Sequence, residues 1–182
     1  RISLKDVQIG VNYVLIVSTN AGLWGYNMGD TVMFTSLSPY RIVVTGRIKH
    51  FISAFGEHVI AKEVEEALAQ AVSKAGGEVS EFTVAPQVNP APRELPYHEW
   101  FIEFEKLPED TETFANTLDQ GLQAQNSYYK DLIEGKILQR LKITCVPKGT
   151  FVEYMKSQGK FGGQNKVQHL SNDRKIADNL KW

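Results

Sequence analysis

The feature that most restricts the fold of this chain is an apolar stripe with helical spacing over residues 60–77. Apolar side chains recur there every three or four residues, and glutamates occupy the opposite side, which is typical of an amphipathic helix. The stripe consists of Ile60, Val64, Ala67, Leu68, Ala71, Val72 and Ala75. Gly76 and Gly77 follow, and glycine commonly ends a helix. Such a helix must cover a sheet or another helix.

Strand-like segments surround this helix. Short apolar or alternating runs predict strands over 41–46, 48–53, 81–86, 98–105 and 140–147. A further helix is predicted over 109–125, and a short helix or turn over 149–160. Alternation within 98–105 predicts one apolar face and one wetter face that carries Glu99 and Glu103. The order predicts an α+β fold, a ferredoxin-like split βαβ sandwich with helices on one side of a mainly antiparallel sheet.

The first part of the chain has a different pattern. Strands are predicted over 13–19 and 30–37, and Pro39 then forms a natural break. We therefore predict a boundary near Ser38–Pro39. Residues 1–38 would be the edge of a larger N-terminal domain, and residues 39–182 a small, mobile C-terminal domain. On this interpretation, residues 41–160 pack as one unit and residues 1–37 lie apart from it.

Composition excludes several function classes. The formal charge of −1 and the pI near 6.5 provide no overall basic surface for nucleic acid. No apolar run approaches the roughly 20 residues that a membrane span requires. The single cysteine, Cys145, has no internal disulfide partner, which favours a reducing, cytoplasmic location. The chain starts at Arg1 within structured-looking sequence, so we expect it to be a piece of a longer protein.

The stretch "WGYNMGD", residues 24–30, contains candidate binding residues. Asp30 at a predicted Gly-Asp turn is either a turn aspartate that accepts from nearby backbone N–H groups, or a carboxylate that accepts from the vicinal hydroxyls of a ribose. Trp24 and Tyr26 are either packing residues or a stacking platform. Arg47, after the strand 41–46, either faces solvent or directs its guanidinium toward phosphate.

A glycine-rich stretch, "FGGQNK" at 161–166, predicts a loop with a lysine at its tip. Most such lysines are only solvated. The four histidines show no metal-ligand spacing, and one cysteine excludes a thiolate zinc site, so the sequence predicts no metal centre.

The order of these motifs resembles a known family. "GYNMGD", a proline-containing break and "VVTGRIKHFISAFGEHVIAKEVEEAL" together resemble the hinge region of the adenylate-forming superfamily. "IGVNYVLIVSTNAGLWGYNMGD" at 9–30 and "FGGQNKV" at 161–167 are similar to one branch, the auxin-responsive, Gretchen-Hagen-type acyl acid–amido synthetases, in a bacterial form. The chain departs from the superfamily pattern at His50, where an acid is common, and from the plant pattern of the branch at Gln168–His169, where Pro-Arg is usual.

The resemblance implies specific roles. Asp30 would hold the ribose hydroxyls of ATP and of the acyl-adenylate, with Tyr26 beside it, and Arg47 would meet phosphate or ribose oxygens. Ser38–Pro39 would be the hinge of the small domain. Lys166, or Lys160 as the competing candidate, would stabilise charge on the α-phosphate. Mg²⁺ would neutralise the phosphates.

The reaction that the resemblance implies joins a carboxylic acid to an amine, that of an amino acid, through an acyl-adenylate. The acid pocket would lie in the chain's own N-terminal domain, so this piece alone would be inactive. An alternative from another class is a standalone ferredoxin-like module that binds protein, peptide, metabolite or RNA. The acidic strand 98–105 argues against RNA, because an RNA-binding sheet carries aromatic pairs on a basic surface.

Overall fold

The computed structural model describes residues 1–47, 51–160 and 166–182. The chain divides into two compact units, Arg1–His50 and Phe51–Trp182. Part of the strand predicted over 48–53 and most of the glycine-rich loop predicted over 161–166 lie outside the described residues.

The first unit is built on a three-stranded antiparallel sheet with the order β1-β2-β3. Its strands are β1 (Asn12–Val17), β2 (Tyr26–Leu37) and β3 (Tyr40–Arg47). Half-buried and exposed residues alternate along β1, as expected of a strand with one covered face. The predicted strands over 13–19, 30–37 and 41–46 are therefore confirmed, and β2 begins four residues earlier than predicted.

The β2–β3 hairpin moves the boundary between the two parts of the chain. Leu37 is the register partner of Tyr40, so Ser38 and Pro39 form the hairpin tip within one sheet. The prediction that residues 41–160 pack as one unit is wrong, because β3 pairs along β2 and belongs to the first unit. A rotation about Ser38–Pro39 would have to break this register.

The second unit contains the predicted helices and strands with small changes at their ends. In chain order these elements are β4 (Phe51–Ile52), β5 (Val59–Ile60), α1 (Ala61–Ala75), β6 (Glu78–Gln87), β7 (Tyr97–Lys106), α2 (Thr111–Gln125), α3 (Ser127–Glu134), β8 (Lys142–Val146) and α4 (Thr150–Ser157). Sequence patterns had not indicated α3, which is short. It begins after Asn126, whose side-chain oxygen accepts a hydrogen bond from the backbone N–H of Tyr129 at 2.8 Å.

The main sheet of this unit is mixed. Its order is β6-β7-β8, with β6 antiparallel and β8 parallel to β7. A ferredoxin-like sandwich includes the strand before its first helix in the main sheet. In the described part of the chain, β5 instead pairs with β4 in a separate two-stranded ladder. The α+β class is confirmed, whereas these pairings differ from the predicted ferredoxin-like order.

Helices α1, α2 and α3 cover one face of the main sheet. Trp100 and Ile102 of β7 are fully buried there. They belong to one core with Val64 and Ala67 of α1 and Leu118 of α2, so the apolar stripe predicted for α1 does face the core.

The opposite face of the sheet is also covered, contrary to the prediction of a wetter side. Phe101 of β7 and Phe151 of α4 belong to a second core that also includes Leu180 near the C-terminus. Glu103 is buried because its carboxylate accepts hydrogen bonds from the backbone N–H groups of Gly149 at 3.0 Å and Phe151 at 3.3 Å, at the beginning of α4. A carboxylate at a helix N-terminus is stabilised by the N–H groups that the helix leaves unpaired.

Candidate functional site

A bulge in β2 determines where Asp30 lies. Between two register pairs, Val14 with Thr31 and Ile16 with Asn27, β1 advances two residues while β2 advances four. Gly29 has a φ of +79°, a conformation that favours glycine, and its N–H donates to the Asn27 side-chain oxygen at 2.9 Å. The predicted tight turn at Gly29–Asp30 is therefore a bulge inside a strand. Bulges reorient the residues that follow them and are frequent beside active sites.

The β2–β3 ladder brings two of the predicted binding residues together. Asp30 and Arg47 are direct register partners in this antiparallel pair, and Asp30 is half-buried. Sequence patterns had assigned Asp30 and Arg47 to different domains, and only the long-range pairing of the strands shows that they are neighbours.

Tyr26 and Trp24 are not brought to the same place along the strand. Tyr26 is the register partner of Val17 and lies beyond the bulge from Asp30. Its side chain is 52% exposed, and that of Trp24 is 85% exposed. Neither aromatic belongs to the buried core among the described residues.

The two candidate lysines belong to the second unit. Lys160 follows α4, where its backbone N–H donates to the carbonyl oxygen of Met155 at 3.1 Å, and every residue from Lys156 to Lys160 is exposed. Lys166 is also exposed, but the next residue, Val167, is buried in the second core. Lys166 is therefore adjacent to a fixed point of the fold, whereas Lys160 ends an exposed stretch.

Residues 167–171, here called the post-lysine segment, are attached to the outer edge of β6. The backbone N–H of Val84 donates to the His169 carbonyl oxygen at 2.7 Å, and the Ser171 N–H donates to the Val84 carbonyl oxygen at 3.0 Å. The Thr83 hydroxyl donates to the Gln168 carbonyl oxygen at 2.8 Å. These bonds form a short parallel bridge to the sheet.

The side chain of His169 adds a second attachment. Its Nε2 atom lies 2.8 Å from a carboxylate oxygen of Glu81, and its ring stacks on Phe82 with the ring centres 4.1 Å apart. Leu170, the next residue, is fully buried in the first core. His169 has no metal-ligand spacing in the sequence. In the structure it anchors the post-lysine segment to β6.

A buried ionisable pair lies before α1. Glu57 and His98 are almost fully buried, and a carboxylate oxygen of Glu57 lies 2.8 Å from His98 Nε2. The other carboxylate oxygen accepts from the backbone N–H of Phe55 at 2.8 Å. Burial acts to raise the pKa of Glu57, but the hydrogen bond and charge of His98 together with the N–H donors lower it overall. Glu57 is thus a carboxylate, which can only accept, so His98 Nε2 donates.

A second buried network joins α2, α3 and the beginning of β8. The Tyr129 hydroxyl donates to Asp119 at 2.7 Å, and the same carboxylate oxygen accepts from the backbone N–H of Leu141 at 3.2 Å. Burial and the neighbouring charge of Asp119 raise the pKa of Tyr129 well above its ordinary value. The ring of Tyr129 stacks on that of His98, with centres 5.2 Å apart. Sequence patterns did not reveal either pair, because their partners are 41 and 10 residues apart.

Within 1–47, 51–160 and 166–182, no three His, Cys, Asp or Glu side chains are grouped so that they hold a metal ion. None of the helices in these ranges is long and apolar enough to cross a membrane.

Comparisons with known proteins match both units. The profile of the GH3 family central domain matches residues 1–47, and that of the GH3 family C-terminal domain matches residues 62–175. The indole-3-acetic acid-amido synthetase GH3.3 of Arabidopsis thaliana is 27% identical over 161 residues, a match that covers 85% of this chain and 27% of the relative. The chain thus spans about a quarter of the length of this relative.

Solved structures share the fold. The GH3.15 acyl acid amido synthetase superposes with a TM-score of 0.74 at 21% identity, covering 98% of this chain and 35% of that one. A structure of the AtGH3.15 acyl acid amido synthetase in complex with 2,4-DB gives a TM-score of 0.72 at 21% identity, with coverages of 98% and 34%. The C-terminal profile alone covers more than half of the residues, and the chain therefore belongs to the GH3 family.

Proposed function

We propose that this chain is the C-terminal part of an ATP-dependent ligase that adenylates a carboxylic acid and conjugates it to an amino acid. The observation that carries the proposal is the match of both units, in order, to two consecutive domains of a family whose relatives are acyl acid amido synthetases. We place the remainder of the large N-terminal domain, with the acid pocket, before residue 1. On this proposal the chain catalyses neither step alone.

The proposed reaction has two steps. In the first, a carboxylate oxygen attacks the α-phosphorus of ATP, and pyrophosphate leaves with the broken P–O bond. In the second, the amine attacks the acyl carbon, AMP leaves, and a proton is released as the amide forms. Both steps place negative charge on oxygens near the α-phosphate, so positive groups and hydrogen-bond donors there lower the barrier.

Asp30 is proposed to bind the ribose of ATP. A carboxylate offers two acceptor oxygens to two vicinal hydroxyl donors, which matches this part of the nucleotide. The half-buried position of Asp30 beside a bulge, opposite Arg47 in register, supports this role. Arg47 is proposed to contact phosphate or ribose oxygens, and Tyr26 to lie near the nucleotide.

Lys166 is proposed to bring positive charge to the α-phosphate during adenylation, with Lys160 as the competitor. A lysine ammonium is a compact point charge suited to an oxyanion. The attachment of residues 167–171 to β6 favours Lys166, because a charge preorganised by its surroundings stabilises a transition state better than a freely moving one. We propose that the second unit, which carries both lysines, changes its orientation between the two steps.

Mg²⁺ would neutralise phosphate charge when bound with ATP. The described residues group no metal ligands, so we assign no step of the reaction to a metal ion held by this chain. We propose a cytoplasmic enzyme with a small-molecule acid and an amino acid as its substrates, and with neither nucleic acid nor membrane as a partner.

Acid-dependent exchange of labelled pyrophosphate into ATP tests this function. The full-length enzyme is incubated with a panel of carboxylic acids without any amine, and then with each amino acid in turn. We expect exchange with at least one acid and a new amide by mass spectrometry after an amino acid is added. Amide formation accompanied by ADP and inorganic phosphate would contradict the proposal.

A further inference from the structure

The two ends of the segment between the candidate lysines are held very differently. The Lys160 end leaves α4 as an exposed stretch, and its described backbone contact is to Met155 within the same helix. At the Lys166 end, each of the next four residues has an anchor. Val167 and Leu170 are buried in the two cores, and Gln168 and His169 bond to β6.

These anchors come from three residues within a four-residue stretch of one strand, β6. Glu81 bonds the His169 ring, Thr83 bonds the Gln168 carbonyl, and Val84 exchanges two backbone hydrogen bonds with the segment. Thr83 is fully buried, so its hydroxyl has no access to solvent as an alternative partner. A buried hydroxyl that bonds a backbone carbonyl helps to fix the local backbone, because breaking the bond leaves the buried hydroxyl unpaired.

We propose that Thr83 and the Glu81–His169 pair are positioning residues that clamp the post-lysine segment to β6 and thereby set the place of Lys166. Lys166 then moves together with the second unit, because its backbone is held to that unit and does not move independently. This inference rests on the proposed role of Lys166 in adenylation. In this proposal Glu81, Thr83 and His169 do not contact the substrate, because they act only by positioning Lys166.

The first test is a substitution that removes the hydroxyl and keeps the shape. In the full-length enzyme, Thr83→Val should lower the kcat of adenylation between about two- and tenfold, the range expected for one lost hydrogen bond. The KM for ATP should stay the same, because the lysine acts on charge that develops in the transition state. Thr144→Val is the matched control, since it removes a hydroxyl bond of the same 2.8 Å length, to Glu99, on the other edge strand.

A double-mutant cycle separates positioning from a general structural role. Thr83→Val should have no further effect on adenylation in a Lys166→Ala background, because the group that it positions is gone. A loss of equal size in both backgrounds would overturn the proposal. His169→Ala, at a partly exposed site, is a second variant that should behave in the same way if Thr83→Val folds poorly.

Hydrogen exchange tests the clamp without reference to catalysis. The amides of Val84 and Ser171, which form the bridge, should exchange faster in Thr83→Val and in His169→Ala. Unchanged exchange would overturn the clamp, and faster exchange with unchanged adenylation would overturn its positioning role. If Lys166→Ala adenylates at the normal rate, the proposed role of Lys166 in adenylation is wrong. The positioning role of the clamp is then wrong as well, even if the exchange rates show that the clamp exists.

Discussion

Replacing Glu57 should strongly destabilise the second unit. Both carboxylate oxygens are bonded, one to His98 Nε2 at 2.8 Å and one to the Phe55 N–H at 2.8 Å. The other ring nitrogen of His98 has no hydrogen-bond partner within the described residues. Glu57→Ala therefore leaves a buried imidazole with no partner at either nitrogen. We expect a loss of about 2–6 kcal/mol in the free energy of unfolding, because two donors, His98 Nε2 and the Phe55 N–H, each lose their acceptor at a cost of about 1–3 kcal/mol.

Glu57→Gln should lower the free energy of unfolding less than Glu57→Ala does, because the glutamine amide keeps one acceptor oxygen for the two donors. We expect about 1–3 kcal/mol for the donor that loses its partner. Urea unfolding of the full chain measures both values, and in a Trp24→Phe, Trp182→Phe background the fluorescence of Trp100, which is fully buried in the second unit, follows that unit. Glu66→Gln is the control, because Glu66 forms an exposed pair with Lys62 at 3.6 Å, and such pairs contribute little.

The same pair predicts a pH dependence. The pKa of Glu57 is lowered in the folded protein from its ordinary value of 4.5. The unfolded chain therefore binds the proton more readily, and the contribution of Glu57 is present above that value and lost as the pH falls below it. The stability of the native protein should decline more steeply below about pH 5 than that of Glu57→Gln. Parallel pH profiles, or a Glu57→Ala protein as stable as the Glu66→Gln control, would refute this reasoning.

Three further predictions concern other sites. In the full-length enzyme, Asp30→Ala should reduce pyrophosphate exchange, with a loss of about 1–3 kcal/mol for ribose hydroxyls left without their acceptor, and an unchanged exchange rate would remove Asp30 from the site. Lys166→Ala should lower adenylation by about 10²–10³-fold and affect amide formation from preformed acyl-adenylate less, whereas a large adenylation loss in Lys160→Ala alone would transfer the role. Tyr129→Phe should destabilise the second unit by about 1 kcal/mol in urea unfolding, because Asp119 loses a buried donor, and an unaltered midpoint would contradict this.

Local sequence patterns correctly predicted the helices and strands whose conformation depends on the spacing of apolar residues within them. The helix α1 follows from the spacing of Val64, Ala67 and Ala71, and all three are buried. The strand β7 follows from its alternation, although the assignment of a wetter face was wrong. Glu103 was predicted to be solvated because the sequence does not show that α4 begins over it.

Long-range pairing explains most of the differences between prediction and structure. Pro39 indicated a break, but a proline break and a hairpin tip look alike until the register of β2 and β3 is known. The same register makes Asp30 and Arg47 neighbours. The bulge at Gly29 depends on the two extra residues in β2 relative to β1, which neither strand shows alone.

The sequence identified candidate residues of the site, but it did not predict how they are arranged in space. Asp30, Arg47 and the two lysines came from the order of motifs. The clamp on the post-lysine segment was not predicted, because Thr83 and Gln168 are 85 residues apart. Spacing in sequence carries no information about such a contact.

The fate of carboxylate oxygen most directly tests the claim that the enzyme activates its acid as an adenylate. The full-length enzyme is given ATP, an amino acid and an acid whose carboxylate is labelled with heavy oxygen, and the products are weighed by mass spectrometry. We predict one labelled oxygen in the phosphate of AMP, because a carboxylate oxygen becomes the bridge to the α-phosphorus and leaves with it. Label in inorganic phosphate, or unlabelled AMP, would contradict the account.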